Sequence, residues 1–197
     1  MTSEQRSQEA NWEYKKTGNT PGSTHKGGNA NAGRNSGDFF GTVMQSVYES
    51  ISSARGGDKG GVSVLEAVST VVRPVVRESL ASGAVVEGSK AIVLGVLKGT
   101  GEKDQAALKT LSHTVRTVIR ETAHLNGDVA GAASGLVLGA IESTNLTGVD
   151  ASSAVSAVSR AAVEEADQIG ASAAEKVRET LKKKEIGGVR IPTPGTH

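Results

Sequence analysis

The sequence predicts an all-α protein in which tandem helical hairpins of about 44 residues stack as a short solenoid or a bundle. Three observations carry this. Apolar residues recur at helical spacing from Asp38 onward. The chain repeats its own pattern at an offset of 44 positions. Glycines fall where one helix of each pair must stop and the next begin.

Residues 1–37 are rich in Gly, Asn, Ser and Thr and almost free of aliphatic side chains. They bury too little apolar surface to offset the entropy of ordering, so they read as a disordered arm. Trp12 and Tyr14 stand out in it, either incidental or a short motif for docking a partner. The helical domain spans 38–185 and opens with a half unit, 38–54. There Val43, Val47 and Ile51 recur four apart, with Met44 and Tyr48 beside them. Arg55 to Gly61 is a glycine-rich break. Ser63 and Glu66 then match the S-x-x-E pattern of a capping box. A helix follows to about Ser82, with a kink expected near Thr70 because Pro74 removes a backbone donor.

The self-similarity is clearest between Ile92–Thr100 and Leu136–Thr144. At the same offset of 44, Arg116 meets Arg160 and Glu121 meets Glu165. One unit earlier, at 43, Arg73, Arg77 and Glu78 meet Arg116, Arg120 and Glu121. Gly83, Gly127 and Gly170 are the predicted hinges, since glycine accepts the left-handed conformation that ends a helix. Asp128 is placed to cap the helix after the second hinge, and Ser172 with Glu175 to box the one after the third. The repeats therefore run over 62–101, 104–147 and 150–184. Lys182 to Glu185 reads as a basic helix end, and 186–197, with Pro192 and Pro194, as a flexible tail.

Composition narrows the function classes. A net charge of +1 gives no global field to draw nucleic acid or an anionic membrane. The absence of cysteine removes disulfides and thiolate metal sites, and fits a cytoplasmic protein. The polar segment Met1 to Ala10 lacks the apolar stretch of a secretory signal. All five aromatic residues lie at or before Tyr48, so the later core must be built from Val, Leu, Ile and Ala. Such small side chains fill space only where backbones come close.

Four features are candidate sites. Gly127, Gly131, Gly135 and Gly139, spaced four apart, share one helix face. Interior glycine costs about 0.5–1 kcal/mol against alanine, so the ladder predicts close helix packing, or alternatively helix association in or on a membrane. The uncharged run there, Val129 to Ile141, spans only about 20 Å, too short for a ~30 Å hydrocarbon core. Glu121 and His124 form one Glu-x-x-His pair, but a carboxylate-bridged metal pair needs two, and the matching residues are Glu165 and Gln168. Arg73, Arg77, Arg116, Arg120 and Arg160 repeat with Glu78, Glu121 and Glu165, either as a strip for anions or as a ladder of ion pairs between units. Phe39, Phe40, Met44 and Tyr48 crowd apolar surface into the half unit, which predicts an interface there unless the phenylalanines fold back over the first repeat. No nucleotide-binding loop or nucleophile elbow is present, so no catalytic, cofactor-binding or metal-ligating residue is assigned.

Val137 to Glu142 and Ala161 to Arg178 resemble stretches of bacterial Ala/Gly-rich helical repeat proteins of unassigned function. The resemblance covers roughly 84–181 and implies helices and a bacterial source, with no activity. The expectation is a non-enzymatic scaffold that self-associates or docks a protein partner and does not specifically bind nucleic acid. The alternative is a peripheral protein of a lipid or polymer-granule surface, similar to phasins in being small, helical, Ala-rich and cysteine-free.

Overall fold

Three of the described helices begin at side chains that accept one of their first free N–H groups. In the computed structural model, which describes residues 36–56, 63–183, 185–186 and 189–190, Ser63 Oγ accepts from Glu66 N at 3.2 Å and opens α2. Asp128 accepts from Ala130 N at 3.1 Å to open α5, and Asp150 from Ser153 N at 2.9 Å to open α7. The described elements are α1 (Ser36–Gly56), α2 (Val64–Ala81), α3 (Val85–Thr100), α4 (Asp104–His124), α5 (Val129–Glu142), α6 (Thr144–Thr147), α7 (Ala151–Ile169) and α8 (Ala171–Leu181). The chain divides after Gly33, and every described residue lies in the unit that starts at Arg34. The predicted arm, with Trp12 and Tyr14, lies outside the described residues, as does most of the glycine-rich break.

The helices pack in two layers. In one, α1 lies against α3, α3 against α5, and α5 against α8. In the other, α2 lies against α4 and α4 against α7. Contacts of α2 with α1 and α3, of α4 with α3 and α5, and of α7 with α5 and α8 join the layers. The core between them is almost entirely aliphatic, its largest fully buried side chains being Ile51, Ile92, Ile119 and Leu136. Phe39 is the one aromatic among its buried residues. The inner helices α3 and α5 are buried on most sides, which explains the uncharged run Val129 to Ile141: neighbouring helices cover it. Among the described residues no helix is long and apolar enough to cross a membrane.

Small side chains fill this core because the backbones of one layer touch. A Cβ on Gly95 would lie 2.7 Å from Met44 O and 2.8 Å from Val47 Cβ; one on Gly99 would lie 2.9 Å from Ile51 Cβ. The same holds one contact further on. A Cβ on Gly139 would lie 2.9 Å from Val93 Cβ and 3.0 Å from Lys90 O, and one on Gly135 would overlap Val86 O. The ladder does not face a single neighbour, however. Gly127 looks toward Leu80 of α2, and Gly131 toward Asp128, the cap of its own helix. Gly127 precedes the cap Asp128 and so lies outside α5, and along α5 a four-residue step drifts by about 40°, so the four residues meet different partners.

Several boundaries differ from the sequence reading. Gly83 takes φ +70° as expected of a hinge, but at the second hinge Asn126, at φ +54°, is the left-handed residue and not Gly127. Asparagine reaches this region at little cost, and Gly127 is needed for space instead. At the third hinge Gly170 sits at φ +148°, a region open essentially to glycine, and α8 starts at the next residue. Ser172 is therefore already helical and caps nothing. Gly101 and Gly148, both left-handed, end α3 and α6. The helix α2 runs through Pro74 as one element. Where a tail was expected from 186, Glu185–Ile186 (β1) pairs antiparallel with Val189–Arg190 (β2), and Ile186 is buried in the core.

Candidate functional site

The arginines predicted to repeat are distributed along the α2–α4–α7 layer, and three of them bind the next helix. Arg73 of α2 grips Glu121 of α4 with two bonds, Nε to Oε2 at 2.8 Å and Nη2 to Oε1 at 3.0 Å. Arg120 of α4 grips Glu165 of α7 in the same bidentate way, at 2.7 and 2.9 Å. Arg116 reaches Glu164 at 2.6 Å. Each pair is directional: the arginine is on the earlier helix and the carboxylate on the later one. In the two bidentate pairs the carboxylates are the buried partners, with Glu121 12% and Glu165 3% exposed, while the guanidiniums stay about half in water. Glu164 was not anticipated, although it lies 48 positions after Arg116, the same interval that separates Arg73 from Glu121. In the other layer Lys90 pairs with Glu142 at 2.5 Å.

Glu121 is thus bonded through both oxygens to a guanidinium. Among the described residues no three His, Cys, Asp or Glu side chains gather as a metal site. The hydrogen bonds from Arg73 hold the Glu121 carboxyl below its ordinary value of 4.5, against the opposing effect of burial and with help from the charges of Arg73, His124 and Arg120. A depressed folded-state pKa contributes stability above the unfolded carboxyl's pKa, and that contribution is lost as pH falls through the folded value. Glu121→Gln is therefore expected to be less sensitive to acid than the parent protein at and below about pH 4.5. Urea midpoints between neutral and acid pH check this; parallel acid losses in the two proteins would contradict it.

His113, two turns before Glu121, serves the same layer differently. Its Nε2 lies 3.0 Å from Leu65 O and 3.2 Å from Ser69 Oγ, so the ring bridges α4 to α2. The Ser69 hydroxyl itself donates to Leu65 O at 3.0 Å.

Between α4 and α7 there is instead an open groove of about 620 Å³. Leu108 and Ala157 form its apolar floor, and Ser112, Ser152, Ser153 and Ser156 supply hydroxyls. Lys109 and Arg160 contribute two cations, and Asp150 stands at the end where α7 begins. No imidazole or thiol lines this groove, so it offers polar recognition but no ready nucleophile and base pair. Hydrogen bonds from the start of α7 keep the Asp150 carboxyl below its ordinary range, the Ser153 side chain contributing most.

The four residues predicted as an interface separate in the structure. Phe39 is 6% exposed and packs in the chain's own core near Gly88, so it is a core residue and cannot present a surface. Phe40, Met44 and Tyr48 are half-buried on α1. Lys90 Nζ stands 5.0 Å from the Phe40 ring centre and Lys98 Nζ 5.2 Å from that of Tyr48. The apolar excess of α1 is absorbed because this helix has two neighbours, α3 and α2, and not one. Its outer face carries Thr42, Gln45, Ser46, Glu49 and Ser50. At the other end, Glu175, Lys176, Arg178, Glu179 and Lys182 are all exposed on or just beyond α8, with Arg178 bound to Asp167.

Comparison with known protein families, curated proteins and solved structures finds no match.

Proposed function

We propose that this chain is a non-enzymatic scaffold of stacked helical hairpins, about 44 residues apart, that associates with further copies of itself or docks a protein partner. The observation that supports this best is the directional ion-pair ladder of the α2–α4–α7 layer. Within the layer α2 presents arginine to α4, and α4 presents carboxylate to α2 and arginine to α7. Such a surface is complementary to a copy of itself, head to tail, and it leaves α2 and α7 with one neighbour each in their layer. The polar exteriors of α1 and α8 fit a contact that forms between folded units rather than one that completes a core.

Light scattering across a concentration series tests this. The expected result is a mass above that of one chain at high micromolar concentration without lipid. A monomer throughout, in the absence of partner, removes self-association. If α1 contributes, Phe40→Ser with Tyr48→Ser lowers the mass while the helical signal is kept; Phe39→Ser is unsuitable, since it opens the core. The lipid- or granule-surface reading has less support. The large apolar side chains exposed among the described residues, Leu146 and Ile169, are single and belong to different helices.

A further inference from the structure

The layer α2–α4–α7 contains the same junction twice, and only one of the two is filled. At α2–α4 the ring of His113 sits over Leu65 O and Ser69 Oγ. At α4–α7 the residues that take these positions, 43 or 44 further along, are Leu108, Ser112 and Ala157. The acceptor half is preserved: Ser112 Oγ donates to Leu108 O at 2.9 Å, as Ser69 Oγ does to Leu65 O. The ring is missing, because alanine stands where the preceding junction has histidine. These three residues lie in the lining of the 620 Å³ groove, a volume within the range of ligand pockets.

The bond at the filled junction defines what the empty one accepts. Leu65 O can only accept, so the tautomer with the proton on Nε2 is the one in which His113 bonds to it. Leu108 O and Ser112 Oγ therefore suit a planar ring with an N–H donor. Lys109 and Arg160 line the same groove, and neither has an ion-pair partner among the described residues. Asp150, the opposing charge, is ten residues from Arg160 along α7, about 15 Å away by helical rise, and is bound to the helix start. Arg160 is thus separated from Asp150 along the groove.

We infer that the groove between α4 and α7 is a binding site for a small organic anion bearing an N–H ring, with imidazole carboxylates as the simplest class. The ring takes the place that Ala157 leaves open, over Leu108 O and Ser112 Oγ, and the acid group meets Lys109 and Arg160. This rests on the hairpin repeat proposed above, since it equates Ala157 with His113.

The full chain with imidazole-4-acetate as probe tests the site, read by amide chemical shifts and by melting temperature. Shifts concentrated in 105–112 and 150–160, saturating with a Kd on the order of 1 mM, are expected. Lys109→Ala with Arg160→Ala should weaken binding about tenfold or more, the loss of charge-assisted bonds. Acetate alone should shift the same amides far less. Ala157→His should raise the melting temperature and abolish probe binding, because the side chain supplies the ring. No saturable shift by about 10 mM probe, or equal binding by Ala157→His, overturns the site. Acetate as effective as the probe overturns the ring's part in it. Ala157→His that lowers the melting temperature counts against the equivalence with His113 and so against the repeat, and the Lys109 and Arg160 variants then decide the ligand question alone. Scattering mass, measured on the same samples, reports separately on self-association.

Discussion

Gly135→Leu is expected to destabilise the protein by about 3 kcal/mol, at the upper end of what overpacking a close contact costs. For a chain of this size that lowers the melting temperature by about 10 °C. The cause is local and specific. A Cβ on Gly135 would overlap Val86 O, a backbone atom of α3, and would lie 2.9 Å from Ser89 Cβ. A flexible side chain could yield, but a helical carbonyl moves only with its helix, so α3 and α5 must separate. Their separation would also loosen Val93 against Gly139, one turn on. Ser152→Leu, at the start of α7 in an open groove, adds the same bulk where there is room and should change stability by no more than about 0.5 kcal/mol. Equal melting temperatures for the two variants would mean that α5 does not meet α3 through Gly135.

Arg120→Ala carries the second large effect, about 2 kcal/mol. Glu165 is 3% exposed and both of its oxygens are bonded to Arg120. Removing the arginine leaves a carboxylate buried without its partner, which costs about 3–5 kcal/mol for a fully buried pair. The guanidinium is 48% exposed, so solvent already screens part of the interaction and the smaller figure is expected. Arg116→Ala removes an arginine of the same layer from Glu164, with both side chains largely in water, and should cost less than about 1 kcal/mol. Urea denaturation of the two variants compares them directly. Arg120→Met with Glu165→Leu should recover much of the loss, because an apolar pair needs no compensation for buried charge. If Arg120→Ala were no worse than Arg116→Ala, the burial of Glu165 would not matter to folding.

Much of this molecule was legible in the chain. Period 3.6 in the apolar residues, Ser63, Asp128 and Gly83 located helices and their ends, because these signals act within one turn and need no neighbour. The repeating arginines and glutamates fit a ladder of ion pairs as well as a strip for anions. Which glutamate each arginine takes was not visible: Arg116 reaches Glu164 and Arg120 reaches Glu165, so adjacent carboxylates go to arginines a turn apart. That choice depends on how far α7 is rotated against α4.

The groove and the fate of Phe39 were equally out of reach. Apolar count alone made α1 look underpacked, since the sequence does not say how many neighbours a helix has; α3 and α2 together cover it. Ala157 and Ser112 come to line one groove only once α7 is set beside α4.

The sequence by itself determined that the chain folds as helices, roughly where they start and stop, and that its core had to be aliphatic with close backbones. Those properties follow from local geometry and side-chain volume. Only the tertiary structure decided which helices touch, that Gly135 and Gly139 meet α3 while Gly127 meets α2, that His113 bridges α4 to α2, and that a groove lies between α4 and α7. The physical reason is that packing depends on the rotation of each helix about its axis. Gly127 lies before the cap Asp128 and so outside α5, while along α5 the glycines stand four residues apart on a helix that turns every 3.6, so each step rotates the facing residue by about 40°.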